Sequence, residues 1–402
     1  MKKLLISVLV FLTAFTAFAV TVLQTPSTVL YFLNWGEYID HDLVEEFEKV
    51  YNCQVIEEDV TSSEAMYQKI TANTTGYDVA VPGDYTVHQL YSQGYLRELD
   101  VTDPELTFLS QYQTMFNDDL KGVMNEYMTD ETTGKEFSSY YMPYFWGAYS
   151  LIYSTRKEDV GNVIKENGFS SLYNRSLFKE DVSIGMYDTA RWIVASYFLS
   201  RNENPNLTDR SSGSKEGDLS TELKNEVKSA LKEAHFNQFG NDQLKRNVAN
   251  GSLDFCFTQL GDFFDTLYLI YSESDDEIQF NVSVPETTAA FFDSMVIPKN
   301  CQNYKLANQF INFMMNPDNA YQNARSIGYS PTLKSVASLF ESEAEKGEYY
   351  YKDDSRSLTL SDFLNFYPMY LDPLSGVKNR YLFEPRTNDY LTSCEMIFNT
   401  LA

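Results

Sequence analysis

Three strand–helix units in succession near the start of the chain predict an α/β fold built on a parallel, doubly wound sheet. Two further observations point the same way. Short continuous apolar runs, such as Val29-Leu30-Tyr31-Phe32-Leu33, are the mark of strands buried on both faces. The composition, 402 residues with 43% hydrophobic and 22% charged, is an ordinary globular mixture long enough for two or three domain equivalents.

The elements follow in order. After the first run, Asn34 to Tyr38 reads as a turn, and Asp40 can cap a helix whose Leu43, Phe47, Val50 and Tyr51 fall at helical spacing. Gln54-Val55-Ile56 is a second strand, followed by a helix carrying Met66 and Ile70. Tyr77 to Pro82 is a third strand, then Gly83-Asp84-Tyr85 opens a helix ending near Gly94. In such sheets ligands bind beyond the carboxyl ends of the strands, which singles out Trp35, Glu37, Tyr38, Gly83 and Tyr85 by position alone. Tyr140 to Tyr153 is aromatic and proline-broken, as a segment crossing between lobes would be. Val182 to Met186, Leu253 to Phe257 and Phe291 to Pro298 read as strands of the remainder. Residues 201–220 are polar and turn-rich and predict an exposed loop before a helix at about 221–235, and 341–356 predicts surface helix and loop. No internal repeat is visible.

Charge narrows the partners. With 31 Lys+Arg against 57 Asp+Glu the net charge is −26, the wrong sign for displacing counterions from nucleic acid or for docking on anionic lipid. Tyr 30, Phe 28 and Trp 3 make up 15% of the chain, and carboxylates beside aromatic faces suit an organic cation.

Lys2 and Lys3, an apolar run from Leu4 to Leu23 and the small-x-small site Ala17-Phe18-Ala19 read as a secretory signal peptide over residues 1–19. The run is also long enough to be retained as an anchor to about residue 23. Either way the protein is expected to work outside the cytoplasm, periplasmic or at the cell surface. Cys53, Cys256, Cys301 and Cys394 form no Cys-x-x-Cys pair; disulfides are permitted in that compartment, but buried free thiols are the simpler reading. The three histidines, His41, His88 and His235, lack zinc-ligand spacing, so neither a metal nor a cofactor is expected.

Several segments resemble the spermidine/putrescine-binding solute receptors of ABC transporters. They are LYFLNWGEY at Leu30–Tyr38, YDVAVPGDY at Tyr77–Tyr85, YMPYFWGAYSLIYS at Tyr141–Ser154, DTAR at Asp188–Arg191, FFDSMVIP at Phe291–Pro298, INFMMNPDNA at Ile311–Ala320 and SIGYSPT at Ser326–Thr332. No one of them is decisive, but they occur in the family's order from about residue 28 to 335. The resemblance implies a two-lobed periplasmic-binding-protein-like fold, each lobe a mostly parallel sheet flanked by helices, with the ligand cleft between. The implied boundaries are 28–145 plus about 293–338 for one lobe, and about 146–292 plus 339–402 for the other. It implies a bound polyamine, delivery to a membrane permease and its ATPase, and no catalysis.

Carried over residue by residue, Trp35, Glu37 and Tyr38 match the family's Trp-x-acid-Tyr segment, and Tyr85 matches a cleft aromatic. Asp293 matches an acidic ligand contact, with Phe291 where Trp often stands. Gly261-Asp262 and Tyr329 match further pieces. The chain departs from the family at Gly83, where a hydroxyl residue is common, at Gln259, which replaces a Trp, and at Trp192, which replaces an acid after DTAR. Asp188 and Trp192 are added as cleft-lining candidates.

Each residue also has a plainer role. Asp262 can cap the helix after it, and Trp35 and Tyr38 can pack the turn. Tyr85 and Tyr329 can be core tyrosines, and Glu37 can be a solvated loop acid. Asp293 interrupts an apolar run, which is costly unless it finds a partner. Other functions with the same residues are a binder of another small cation or of ferric ion, or a glycosidase pairing Glu37 with Asp293.

Overall fold

The computed structural model describes residues 28–401 apart from 73, 113, 131, 132, 135 and 274–276, so the leader reading of residues 1–23 lies outside the described residues. β1 (Val29–Trp35) forms at the first apolar run and β2 (Gln54–Val60) at the second. The helix His41–Tyr51 lies between them, with the Asp40 carboxylate accepting from the Asp42 backbone N–H. The helix Ser63–Ala72 follows β2, then β3 (Val79–Ala80) and the helix Asp84–Ser92. These three strands form one parallel sheet in the order β2-β1-β3. Each strand therefore ends at the same edge, which is where Trp35, Glu37, Tyr38, Gly83 and Tyr85 stand.

β4 (Leu96–Arg97) is followed by β5 (Met142–Ser154), thirteen residues that are all buried. The remaining strands are β6 (Ile184–Tyr187), β7 (Gln238–Gly240), β8 (Phe255–Gln259), β9 (Phe280–Ser283), β10 (Thr287–Met295), β11 (Ile297–Pro298), β12 (Ser330–Pro331), β13 (Tyr349–Lys352), β14 (Ser357–Thr359) and β15 (Asn379–Tyr381). The second, eight-stranded sheet runs β15-β10-β5-β8-β6-β7, with β9 and β12 also paired to β5. It is parallel at β8-β6-β7 and β10-β15 only, because β5 runs antiparallel to β8, β9, β10 and β12. The aromatic crossing segment is thus the spine of this sheet. At its first half, Met142–Ala148 pairs with Ala290–Met295, and Phe145 and Trp146 pair with Pro331 and Ser330.

Two surface expectations change. Residues 201–220 contain no helix, yet Asn206 and Thr208 are buried. The Asn206 side chain donates to the Leu382 carbonyl at 2.7 Å and accepts from the Glu384 N–H at 3.0 Å, so polar residues enter the interior by satisfying backbone groups of the C-terminal segment. In 341–356 the chain turns into the β13–β14 hairpin, where Tyr350 is buried and stacks on Phe363 at 3.8 Å. All four cysteines are buried and free. Among the described residues no helix is long and apolar enough to cross a membrane.

Candidate ligand-binding site

A cavity of about 520 Å³ opens where the ends of β1 and β3 face β10, the end of β8 and the segment around Tyr329. That volume lies within the roughly 300–1,000 Å³ usual for small-molecule sites. Trp35 reaches it from the end of β1, with its indole N–H donating to the Val81 carbonyl at 2.8 Å, which fixes the ring in place. Gly83 and Tyr85 flank the start of the helix Asp84–Ser92, and Phe291 and Asp293 come from β10. Gln259 ends β8 with Asp262 just after it, and Tyr329 faces them from beside Tyr38.

The acid set divides in two. Asp293, half-buried on β10, accepts from the Tyr38 hydroxyl at 2.7 Å through Oδ2. Its Oδ1 faces Gly83 across an isolated bridge, and a Cβ at position 83 would stand 3.3 Å from that oxygen. Beside it lies Asp84, 3% exposed, which accepts from the Phe292 N–H at 3.1 Å and the Tyr85 N–H at 2.6 Å. Burial pushes the Asp293 carboxyl up to about 7, opposed by the Tyr38 hydrogen bond. Burial likewise raises Asp84 to about 7, with the Phe292 N–H opposing and the charge of Asp293 adding to it.

Asp262 is the centre of the second group. It lies in the first turn of the helix Leu260–Glu273 and accepts from the Gln259 N–H at 3.2 Å, the back-bond of a capping box. It also accepts from the Tyr187 hydroxyl at 2.6 Å, the Tyr329 hydroxyl at 3.2 Å and the Thr258 hydroxyl. The capping role and the cavity position therefore hold together. Lys245, 6% exposed on the helix Asp242–Asn250, brings its Nζ to 2.6 Å from Asp265, 3.4 Å from Asp242 and 3.7 Å from Asp262. Burial pulls its ammonium toward the neutral form, but the three carboxylates outweigh that and raise its pKa. The Tyr38 and Tyr329 rings meet edge-on at 4.9 Å between the two groups.

Aromatic rings supply the remaining wall. Tyr85 is backed by the Arg191 guanidinium 4.2 Å from its ring centre, so the Arg of DTAR supports a cavity aromatic. Trp192 lines the cavity and packs edge-on against Tyr149 and Tyr187, both at 5.1 Å. Asp188 is exposed and is not part of the lining, because it precedes the helix Ala190–Ser200 and points its turn to solvent. Glu37 sits on the rim at positive φ with an exposed side chain, 3.9 Å from Arg246. Among the described residues no three His, Cys, Asp or Glu side chains come together as a metal site.

Sequence reasoning passed over Asp84 and Lys245. Asp84 had a signal, since it follows Gly83 at a strand's carboxyl end. For Lys245 the signal was faint: Asp262 and Asp265 are three apart on one helix face, an arrangement that calls for a cation nearby.

This architecture, two sheets joined by crossing strands around a cavity lined with acids and aromatics, defines a small-molecule binding protein. Residues 42–349 match the model of the family described as bacterial extracellular solute-binding protein, and the chain belongs to that family. It is 23% identical over 347 residues to the putrescine-binding periplasmic protein PotF of Escherichia coli strain K12, covering 84% of this chain and 87% of that one. It is 25% identical over 334 residues to the spermidine/putrescine-binding periplasmic protein of the same organism, covering 81% and 84%. The crystal structure of the spermidine/putrescine ABC transporter substrate-binding protein PotD from Streptococcus pneumoniae superposes with a TM-score of 0.62 at 23% identity, over 93% of this chain and 98% of that one.

Proposed function

We propose that this protein is an extracytoplasmic receptor that binds a polyamine such as putrescine or spermidine in the cavity and delivers it to an ABC permease and its ATPase. The observation that carries the reading is Asp293: a carboxylate set in an aromatic cavity, held by one tyrosine hydroxyl and with an oxygen left for a donor. An ammonium there gains charge-assisted hydrogen bonds, while Trp35, Tyr85, Phe291 and Tyr329 offer faces for the methylenes and the cation. Tyr38 orients the acid. Glu37, Asp59 and Glu64 are exposed along the rim and attract cations over the short range that salt leaves unscreened. The names of the related proteins support the ligand class, and the family description supports binding rather than catalysis.

Calorimetry of the protein with putrescine, spermidine and spermine tests the reading directly. We expect heat of binding with at least one, and a loss of more than roughly tenfold in Asp293→Asn, which corresponds to about 1.4 kcal/mol. A folded, ligand-free protein that gives no heat with any of the three sinks the proposal.

A further inference from the structure

Asp293 and Asp262 both line the cavity, but their remaining capacity differs. A carboxylate offers about four lone-pair sites. Asp262 already receives the hydroxyls of Tyr187, Thr258 and Tyr329 and the Gln259 N–H, and Lys245 Nζ stands 3.7 Å from its Oδ1. Asp265, the next acid on the same helix face, holds Lys245 at 2.6 Å. Among the described residues, Asp293 accepts one side-chain hydrogen bond, from Tyr38. Trp192, on the wall near Tyr187, presents an indole rather than an acid.

We infer that Lys245 is a specificity-determining residue: its ammonium stands among Asp242, Asp262 and Asp265 and takes the place a ligand amine would occupy there, so the cavity interior reads one ammonium of its ligand, on the side of Asp293 and its neighbour Asp84. Beyond the side of the cavity that carries Asp293 and Asp84, a second or third charge on the ligand meets acids already engaged by Lys245 and the tyrosines, and otherwise rests on the exposed rim acids, where water competes. The ligand class is accordingly a short alkylamine or diamine, and lengthening it to a triamine brings no added affinity. Lys245 itself makes no contact that the ammonium at Asp293 needs; it acts by occupying the alternative.

This inference rests on the amine-binding reading above, and a panel of amines separates the two. For the unaltered protein, calorimetry should find n-butylamine within about tenfold of putrescine, and spermidine no tighter than putrescine. In Lys245→Met, which keeps the aliphatic stem and removes the charge, spermidine should gain tenfold or more relative to n-butylamine. Because an unpaired Asp265 can impair folding, the double variant Lys245→Met/Asp265→Asn removes one charge of each sign and should show the same change of ranking. A purely structural lysine would alter all affinities together and leave their ratios fixed. Binding of spermidine more than tenfold tighter than putrescine in the unaltered protein, or ratios unchanged in both variants, overturns the role of Lys245 alone. Silence with every amine overturns it together with the amine-binding reading.

Discussion

Asp84 is buried and the neighbouring Asp293 half-buried, and both carboxyls are raised to about 7 against an unperturbed value of roughly 4. Desolvation is the main cause for each, and the charge of Asp293 adds to the rise at Asp84. Between about pH 4 and 7 the folded, ligand-free protein keeps protons that the unfolded chain has released, so unfolding releases protons in that window. The pair's contribution to stability is greatest below the unfolded value and is lost as pH rises through the folded one. A bound ammonium selects the ionised form, so affinity moves the opposite way. We expect putrescine to bind at least tenfold more weakly at pH 5 than at pH 8, measured by calorimetry, and Asp293→Asn to flatten that dependence. An affinity independent of pH over this range would mean that Asp293 does not meet the ammonium. Thermal melts without ligand should show Asp84→Asn reducing the fall in stability between pH 5 and 8.

At the scale of elements, the cavity depends on how closely a helix start approaches a ring. Gly261 lies in the first turn of the helix Leu260–Glu273, and a Cβ there would collide with the Tyr329 ring. Alanine must therefore displace Tyr329, whose hydroxyl lies within hydrogen-bond distance of both Gln259 and Asp262 and whose ring meets Tyr38 edge-on. We expect Gly261→Ala to cost about 1–3 kcal/mol of stability, the usual price of overpacking, and to weaken amine binding as well. Chemical denaturation and calorimetry check the two effects, and full stability in the variant would show that the ring moves freely. The helix itself was legible from its apolar run and from Asp262 as a cap. The distance to Tyr329 was not, because it depends on residues 68 positions apart meeting in space.

For the whole molecule, the boundaries expected near 145 and 293 fall within β5 and β10, where these strands pair with each other and β5 also pairs with β12. We propose that this three-strand junction is the hinge. Contacts across the cavity, Tyr329 to Asp262, Arg191 to Tyr85 and Arg246 to Glu37, join the side carrying β1 to the side carrying β8 and would have to break for the two sides to part. Ligand should favour closure by giving Asp293 a cation. Small-angle scattering should then show a smaller radius of gyration with putrescine than without. The melting temperature should rise with putrescine, corresponding to about 2.7 kcal/mol at a hundred times Kd. A rise in melting temperature with no change in radius would refute closure while leaving binding intact.

The sequence by itself determined the α/β class, the order of the elements and eleven of the twelve candidate residues that line the cavity, Asp188 being the exception. Strand burial is written in continuous apolar runs, and the carboxyl end of a parallel strand, a position that chain order alone defines, gave Trp35, Glu37, Tyr38, Gly83 and Tyr85; the other six came from the family resemblance. Tertiary structure alone decided which of the acids are still open. Asp262 and Asp293 look alike as residues, each an acid beside aromatic neighbours. Their difference lies in partners brought from elsewhere: Lys245, Tyr187 and Tyr329 converge on one, and only Tyr38 donates to the other among the described residues. Hydrogen-bonding capacity is filled by proximity in space, and no local pattern of residues encodes that.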